Sequence, residues 1–444
     1  MLGLITFSLI MIALFVGTWR RPPVAIAAVL CLYGLKQWGQ STTAFFSEYR
    51  QFTNFAVFVI VLLGLMRAAQ KRSCIFCRTP ATSLLVLALF AYAFVSVSWA
   101  PDPQTSFDQW IISIPYIITI TLLAPLLLND LDDARTAFVS TAVAGAVLCA
   151  LAMVFGRWGD RGLLVFGHDT LQDLDNIYRY ETNPLALSTM AGVVFLICAL
   201  SLGPPNRWFM RIFAAICIPL ALAVILRSGS RGQVLASGAA VFVALPIAFR
   251  PTEGKSILMM FIIAALVLGL GWWATSFIDI DSTRWSDARA SQDVAGRIDM
   301  ARVLIAASTA NFATTVFGLG NSSAFHVVGF YPHITALEVV AEEGILGAII
   351  YFAILFLAFR NAIRISRNAA LSASDRNALA ILTGLFVFEL ILSWKQGSLL
   401  FSVYVFAYAI VLARLETPAL KRAHDSAHRA TMLENTPRFP NLLR

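Results

Sequence analysis

Two short segments carry the side chains best suited to chemistry, and the first holds a pair of arginines. Arg227 and Arg231 lie four positions apart in the stretch Leu226-Arg227-Ser228-Gly229-Ser230-Arg231-Gly232, between two apolar runs. A guanidinium bonds two phosphate oxygens at once and stays charged, and exposed backbone N–H groups of a Gly/Ser turn add to an anion site. The alternative is that both arginines extend to lipid headgroups. The segment therefore predicts either anion binding or contact with the membrane surface.

The second segment is Tyr331-Pro332-His333, which leads into an apolar run. His333 follows a helix-starting proline at the predicted membrane boundary, with Tyr331 beside it. A neutral imidazole accepts a proton near pH 7, so His333 is a candidate general base. The alternative is a histidine hydrogen-bonded to a loop carbonyl.

Charged side chains near His333 form the next group of candidates. Glu338 and Glu342 are four residues apart and share a helix face, and Glu343 follows. A carboxylate in a span costs roughly 2.5–3.5 kcal/mol, so it faces a partner or a wet cavity. Ion pairing between helices is the structural alternative, and Glu389 with Lys395 could form a similar pair.

Arginines on the preceding loop could complete such a site. A short helix is predicted over 294–310, and Arg297, with Arg302 as a substitute, could face the bundle from it. A solvated ion pair with Asp293 or Asp299 is the alternative for these side chains.

The elements that position these residues are membrane spans. The chain has 444 residues, of which 59% are hydrophobic and only 13% charged, so it is predicted to be an all-α polytopic membrane protein. About 12 transmembrane helices are expected, or 13 if every short run crosses the membrane. The predicted spans are 3–18, 24–40, 52–68, 82–99, 108–128, 134–155, 184–202, 210–226, 232–249, 256–277, 334–359, 378–394 and 398–413.

Loop charges predict the orientation and the domains. Five basic loops or tails fall on one side by alternation, which marks that side as cytoplasmic, and the net charge of +8 fits anionic lipid contact. A transmembrane bundle is expected over 1–415, with a large, partly helical periplasmic loop at 278–332 and a smaller periplasmic segment at 156–183. Residues 416–444 are expected to form a partly disordered cytoplasmic tail.

Several classes of protein are disfavoured. The sequence has no GxxxxGK[ST] or HExxH motif, which argues against a P-loop ATPase and a zincin protease. The single CxxC, Cys74 and Cys77, favours a reduced pair over a metal site. Nucleic acid is not an expected partner. A transporter also fits the composition. An inverted repeat or charged mid-span residues in paired positions would favour a transporter, and the sequence shows neither feature.

Four motifs, taken in order, resemble those of bacterial O-antigen ligases of the WaaL type, within the wider group of O-antigen ligases and polymerases. The resemblance covers about residues 80–415, with Ile334 standing where the family usually has Asn. The motifs are Val97-Ser98-Trp99-Ala100-Pro101-Asp102, Thr182-Asn183-Pro184-Leu185-Ala186, Gly229-Ser230-Arg231-Gly232, and Gly318-Leu319-Gly320 followed by Pro332–Glu338 and Glu343–Gly347.

The resemblance implies a GT-C-like, inverting glycosyltransferase of the bacterial inner membrane, with its active site facing the periplasm. Its donor would be a glycan on undecaprenyl pyrophosphate, and its acceptor a sugar hydroxyl of lipid A-core. Neither a cofactor nor a metal is implied. His333 would be the base, Arg231, Arg297 and Arg227 would bind the pyrophosphate, and Glu338, Tyr331, Asn183 and Arg302 would support the site. A polymerase of the same fold, using lipid-linked glycan as donor and acceptor, is the nearest alternative.

Overall fold

The structure is a computed structural model that describes residues 2–71, 79–167, 181–203, 206–249, 258, 261, 262, 265, 269, 287–368 and 371–434. Within helices, the side chains of residues 2, 231, 287–294 and 420–434 also lie outside the description. Most of the predicted span 256–277, residues 168–180 of the smaller periplasmic segment and residues 278–286 of the large loop are therefore not described.

Helices make up nearly all of the described chain. They are α1 (Leu2–Arg20), α2 (Ala25–Leu30), α3 (Leu32–Thr42), α4 (Ala44–Glu48), α5 (Phe52–Lys71), α6 (Ala81–Ser96), α7 (Pro103–Tyr116), α8 (Leu131–Phe155), α9 (Pro184–Ser201), α10 (Trp208–Arg227), α11 (Arg231–Phe249), α12 (Asp287–Ser308), α13 (Phe312–Phe317), α14 (Ala324–Val328), α15 (Thr335–Glu342), α16 (Gly344–Ser366), α17 (Ala373–Gln396) and α18 (Val403–Glu434).

Among the described residues, ten helical stretches are long and apolar enough to cross a membrane, so the chain is a multi-pass helical membrane protein. The predicted span 24–40 is divided at Cys31 into α2 and α3, and α7 continues through a π-helix, Ile117–Leu123, and a short 3₁₀ turn to Leu127. The last helix runs past residue 416 to Glu434, and residues 435–444 lie outside the described chain.

The core of the bundle surrounds α17. Of its apolar window 83% is buried, against 22% for the window in α1. Helices α11, α16 and α18 pack against α17, and the last of these is buried from Val403 to Ala413. Helix α17 is therefore packed between neighbouring helices along most of its length, and its last residue, Gln396, lies at one end of the bundle.

The apolar run after His333 was predicted to continue as one helix, and this prediction is wrong. Helix α15 ends at Glu342 and α16 starts at Gly344, which adopts the left-handed φ of +64°. A Cβ at Gly344 would overlap the backbone of Val316 and Gly318, so the loop passes too close for any larger residue. The chain turns here, and α15 becomes a separate eight-residue helix.

Candidate functional site

The Gly318-Leu319-Gly320 turn holds the end of α15. The Leu319 N–H donates to the Ala341 carbonyl oxygen at 3.0 Å, and the Gly320 N–H donates to the Glu342 carbonyl oxygen at 2.8 Å. These bonds occupy carbonyl groups that a helix end leaves without intrahelical partners. The glycine motif therefore fixes α15 in the described structure and uses two of its backbone donors to do so.

Asn321 joins the same turn to the helices before it. It is fully buried, its N–H donates to Ser96 Oγ at 2.9 Å, and its carbonyl oxygen accepts from Ser106 Oγ at 2.7 Å. Its side-chain Nδ2 donates to Glu343 Oε1 at 3.0 Å. Ser96 and Ser106 flank Trp99-Ala100-Pro101, so these hydrogen bonds join residues 96–106 to residues 318–321, which are far apart in sequence. Together with the buried carboxyl groups of α15 and Glu343, these two stretches form a hydrogen-bonded platform that supports α15.

The carboxyl groups of Glu338, Glu342 and Glu343 are all buried, and α15 lies outside the ten membrane-spanning stretches. Glu342 accepts from two backbone N–H groups, of Ser322 at 2.6 Å and Ala324 at 2.9 Å. Glu338 Oε1 accepts from the Leu399 N–H at 3.1 Å. The hydrogen bonds that these carboxyl groups accept in the described structure come from uncharged donors. The ion pairing between helices that was the structural alternative for these residues is not seen there.

Burial sets the protonation of these carboxyl groups. Because a charged carboxylate is poorly solvated inside the protein, burial raises the pKa of Glu338 to about 8 and that of Glu343 to about 7. Burial raises the pKa of Glu342 as well. The platform therefore carries less negative charge near neutral pH than its three carboxyl groups suggest.

His333 lies just before α15 in an uncommon backbone conformation. Its φ of +58° is in the left-handed region, where non-glycine residues are rare and tend to mark functional sites. The imidazole is half-buried and packs edge-on against the Tyr331 ring, with ring centroids 4.3 Å apart. It makes no hydrogen bond to another residue of the described chain, so the loop-carbonyl alternative is not observed there.

Two effects lower the pKa of His333, burial first and the nearby Arg297 charge second. Both disfavour the imidazolium, so the neutral ring persists to lower pH than in an exposed histidine. A neutral imidazole whose ring nitrogens are not hydrogen-bonded within the described residues can accept a proton from a bound hydroxyl.

Arg297 reaches the end of α17 from α12. Its Nη1 donates to the Lys395 carbonyl oxygen at 2.7 Å, and its side chain is partly buried. The Lys395 side chain lies across Gly232, in the first turn of α11, because a Cβ at Gly232 would overlap it from Cδ to Nζ. Arg297, Lys395 and the start of α11 are therefore neighbours, and His333 is close enough for the Arg297 charge to affect it.

The starts of α9 and α11 meet the end of α17 directly. Gln233 Nε2 donates to the Leu185 carbonyl oxygen at 3.4 Å and to Gln396 Oε1 at 3.2 Å. Thr335, the first residue of α15, bonds the Ser393 carbonyl oxygen through its hydroxyl at 2.9 Å. Four segments that are distant in sequence thus converge at one end of the bundle, and Arg231 begins α11 there, although its side chain lies outside the described residues.

The remaining sequence-predicted residues lie elsewhere or have local roles. Arg227 stacks over the Trp158 ring at 5.5 Å and donates to the carbonyl oxygens of Gly159 and Asp160. Asn183 caps α9 by accepting from the Leu185 N–H at 3.0 Å.

Arg302 is 77% exposed and pairs with Asp299 at 3.4 Å, as the solvated alternative for this residue predicts. Tyr331 contacts His333, as described above. The structure therefore brings together Arg297, His333, Tyr331 and the start of α11.

Lys395 is the residue that the sequence pattern did not indicate as part of this group. It was weighed only as a partner of Glu389, on the same helix. Its position over Gly232 depends on the packing of α17 against α11, which no local motif encodes. Gly232, the second residue of α11, is the sequence feature that could have indicated this contact, because a glycine leaves space for a neighbouring side chain.

Comparisons with known proteins do not assign this chain to a family. No protein-family model matches the chain, and no curated protein matches it. A chain in the solved structure described as "Structural coordination of polymerization and crosslinking by a peptidoglycan synthase complex" is 19% identical, with a TM-score of 0.41. The match covers 75% of this chain and 96% of that chain. At this identity and score the similarity does not extend to activity.

Proposed function

We propose that this protein is a membrane glycosyltransferase that moves a glycan from undecaprenyl pyrophosphate to a sugar hydroxyl of lipid A-core, as an O-antigen ligase at the periplasmic face of the inner membrane. The observation that supports this most directly is that two cationic residues, Arg297 and Lys395, lie near His333, whose neutral imidazole form is favoured. Arg297 bonds the end of α17 at Lys395, whose side chain crosses the start of α11, and burial together with the Arg297 charge lowers the pKa of His333.

The proposed chemistry is a direct displacement. The acceptor oxygen attacks the anomeric carbon while its proton passes to a nitrogen of His333. The bond between the anomeric carbon and the phosphate oxygen breaks, and its electron pair leaves with the pyrophosphate. Fixed cations around the leaving group stabilise that charge, and losing one such donor typically costs about 100- to 1,000-fold in rate.

The positions of Arg297 and His333 suit separate roles, with Arg297 stabilising the leaving group and His333 acting as the base. A base and a leaving-group site must lie on either side of one reacting carbon, so they must be close but not in mutual contact. The Arg297 guanidinium is fixed by the Lys395 carbonyl oxygen, and His333 is fixed by its backbone and by the Tyr331 ring. Groups held in this way need little reorganisation when charge develops.

A lipid donor also needs a route for its chain. An apolar groove of about 370 Å³ lies between α5 and α7, and Phe55, Phe58 and Ile118 are among the side chains that line it. Tyr116 at this groove contacts Phe401, with ring centroids 6.4 Å apart, and Phe401 lies in the turn whose Leu399 N–H bonds Glu338. The groove thus adjoins the turn beneath α15, where it could accept an isoprenoid or acyl chain.

A complementation experiment tests the proposal. A strain deleted for this gene should lack long-chain lipopolysaccharide and should accumulate glycan on its undecaprenyl carrier. The wild-type gene should restore the long chains, whereas His333→Ala should not, with both proteins present in the membrane at equal levels. Core bearing a single repeat unit in the deletion strain would instead indicate a polymerase, and unchanged lipopolysaccharide would contradict both readings.

A further inference from the structure

The apolar groove between α5 and α7 has a polar end that the proposed chemistry does not use. Lys36 Nζ, on α3, donates to the Tyr116 hydroxyl oxygen at 3.4 Å, and Asn54 Nδ2 donates to the same oxygen at 2.9 Å. Asn54 and Tyr116 line the groove, and Asn54 lies in the first turn of α5. These three side chains therefore mark the end of the groove at which α5 begins.

We propose that this groove binds the acceptor lipid, with one acyl chain of lipid A between α5 and α7 and a lipid A phosphate on Lys36. The inference rests on the proposed function, because it assigns the place of one of its two lipid substrates.

The charge of Lys36 suits an anion at this end of the groove. The side chain is half-buried, and in the described chain its ammonium group bonds the neutral Tyr116 hydroxyl and forms no ion pair with a carboxylate. A lysine near the membrane surface commonly extends freely to lipid headgroups. This ammonium is instead held on a side chain of another helix, so its position is defined before a ligand arrives.

The Tyr116 hydroxyl adds a second donor. Its oxygen already accepts from Lys36 and Asn54, so its own hydrogen remains to be donated. An ammonium and a hydroxyl held together can bond two oxygens of one phosphate, and hydrogen bonds that involve a charged partner are the stronger ones.

The rest of the groove suits an alkyl chain. Its volume of about 370 Å³ lies in the range of pockets that hold small ligands, and its walls beyond the polar end are mainly aliphatic and aromatic. They include Leu32, Phe58, Ile118 and Ile120. A cation at one end of an apolar groove is the arrangement that a lipid with an anionic head requires.

The chemistry of the two substrates favours the acceptor here. The chain of the donor is attached directly to its pyrophosphate, so the donor phosphates must lie with Arg297, where the leaving group departs. Lipid A-core carries phosphates on its lipid A part, and core sugars separate them from the hydroxyl that reacts. Its phosphate site must therefore lie at the same end of the bundle as His333 but apart from it.

Lys36 meets this condition through its neighbour on α3. The Gln37 side-chain amide donates to the Asn183 carbonyl oxygen at the start of α9. Gln233 then joins the start of α9 to α11 and to the end of α17. Tyr116 also contacts Phe401, in the turn that bonds α15. The groove is thus connected to the candidate site on two sides without being part of it.

The first experiment measures binding of lipid A, and of lipid A stripped of its phosphates, to the full-length protein in detergent. Lys36→Met should weaken binding of intact lipid A by about 10- to 100-fold, the usual effect of losing a hydrogen bond to a charged group. It should leave binding of the dephosphorylated lipid unchanged, and Lys36→Arg should retain most of the preference for phosphate. Lys71→Met is the matched control, because Lys71 ends α5 at its other end and donates to the Arg20 carbonyl oxygen.

A second pair of variants tests the apolar part of the groove. Ile118→Trp should weaken binding of both forms of lipid A, because the larger ring fills the space for the chain. Ile118 is 40% exposed, so the substitution leaves the buried core intact. Ile111→Trp is the matched control, since Ile111 is 50% exposed and does not line the groove. It should bind both lipids as wild type does.

Transfer kinetics give an independent readout. Lys36→Met should raise KM for lipid A-core by about 10- to 100-fold, while KM for the donor stays within twofold of wild type. At saturating acceptor, kcat should stay within threefold of wild type, because Lys36 lies apart from the reacting carbon. Tyr116→Phe, which removes the hydroxyl that holds the ammonium, should change KM for the acceptor in the same direction.

The outcomes separate the two proposals. If Lys36→Met binds lipid A within twofold of wild type while the wild-type protein transfers glycan, the acceptor site is overturned and the proposed function stands. A loss of undecaprenyl pyrophosphate binding in place of lipid A, or an equal loss of phosphatidylglycerol binding, would also overturn it, because the groove would then hold the donor or any anionic lipid. If the wild-type protein binds lipid A through Lys36 but transfers no glycan, the lipid site stands and the proposed function is contradicted.

Discussion

Replacing Arg297 by Met should separate its two roles, because one side chain both supplies a cation and lowers the pKa of His333. The variant removes the bond from Nη1 to the Lys395 carbonyl oxygen and the charge near the imidazole. If Arg297 stabilises the leaving pyrophosphate, kcat should fall by about 100- to 1,000-fold, which is about 3–4 kcal/mol. Arg297→Lys should recover only part of this loss, since an ammonium lacks the planar fork.

The pH dependence provides the second readout of this variant. Activity requires neutral His333, so the rate is lost as pH falls through the pKa of the folded enzyme. Arg297 is one of two causes that depress this pKa, and its removal should let the pKa rise toward the ordinary value of about 6.5. The acidic limb of the rate profile should therefore move to higher pH in Arg297→Met.

The assay is glycan transfer by purified protein in detergent or nanodiscs, followed over a range of pH values. Arg302→Met is the matched control, because Arg302 lies on the same helix, is 77% exposed and pairs with Asp299. It should stay within twofold of wild type, as expected for an exposed ion pair. A rate for Arg297→Met within threefold of wild type, or an acidic limb that does not move, would refute the reasoning.

Three further predictions concern the platform beneath the site, each measured as thermal stability in detergent. In the wild-type protein the Glu338 carboxyl stays protonated in the folded state up to a pKa of about 8, whereas in the unfolded state it ionises near 4.5, so stability is lost as pH rises from about 5 to about 8. Glu338→Gln should make this loss of stability with pH smaller. An unchanged slope of stability against pH would contradict the assigned protonation. Ile334→Asn should stabilise the protein by up to about 1 kcal/mol, since Ile334 is the N-cap of α15 and makes no capping bond; no gain over Ile334→Ala would argue against a capping effect. Asn321→Ala should destabilise by about 1–3 kcal/mol because it leaves the buried Glu343 carboxyl without its amide donor, and a neutral result would mean that the platform tolerates the loss.

The composition and the apolar runs were enough to predict a multi-pass helical membrane protein, because lipid leaves the backbone few alternatives to a helix. A helix in the large loop was also predicted, over 294–310, and the structure has Asp287–Ser308 there. The break at Glu343 was not predictable from hydrophobicity, since it depends on the approach of Gly318, twenty-six residues before Gly344.

The candidate site was only partly predictable for a related reason. The types of Arg297 and His333 indicated anion binding and proton transfer, but the two side chains are brought together by α12, α15 and α17, which are separate in sequence. Lys395 entered the group only through the packing of α17 against Gly232. Several motif residues, among them Asn183 and Gly320, cap or support helices in the described structure.

We propose that guanidinium and imidazole groups at one end of this bundle move a glycan from a lipid pyrophosphate without other activation. The most direct measurement incubates purified protein with undecaprenyl-pyrophosphate-linked glycan and lipid A-core, in EDTA and without nucleotide, and identifies the products by mass spectrometry. We expect glycosylated lipid A-core and released undecaprenyl pyrophosphate from the wild-type protein, and no product from His333→Ala. Absence of transfer by wild-type protein, or equal transfer by His333→Ala, would contradict it.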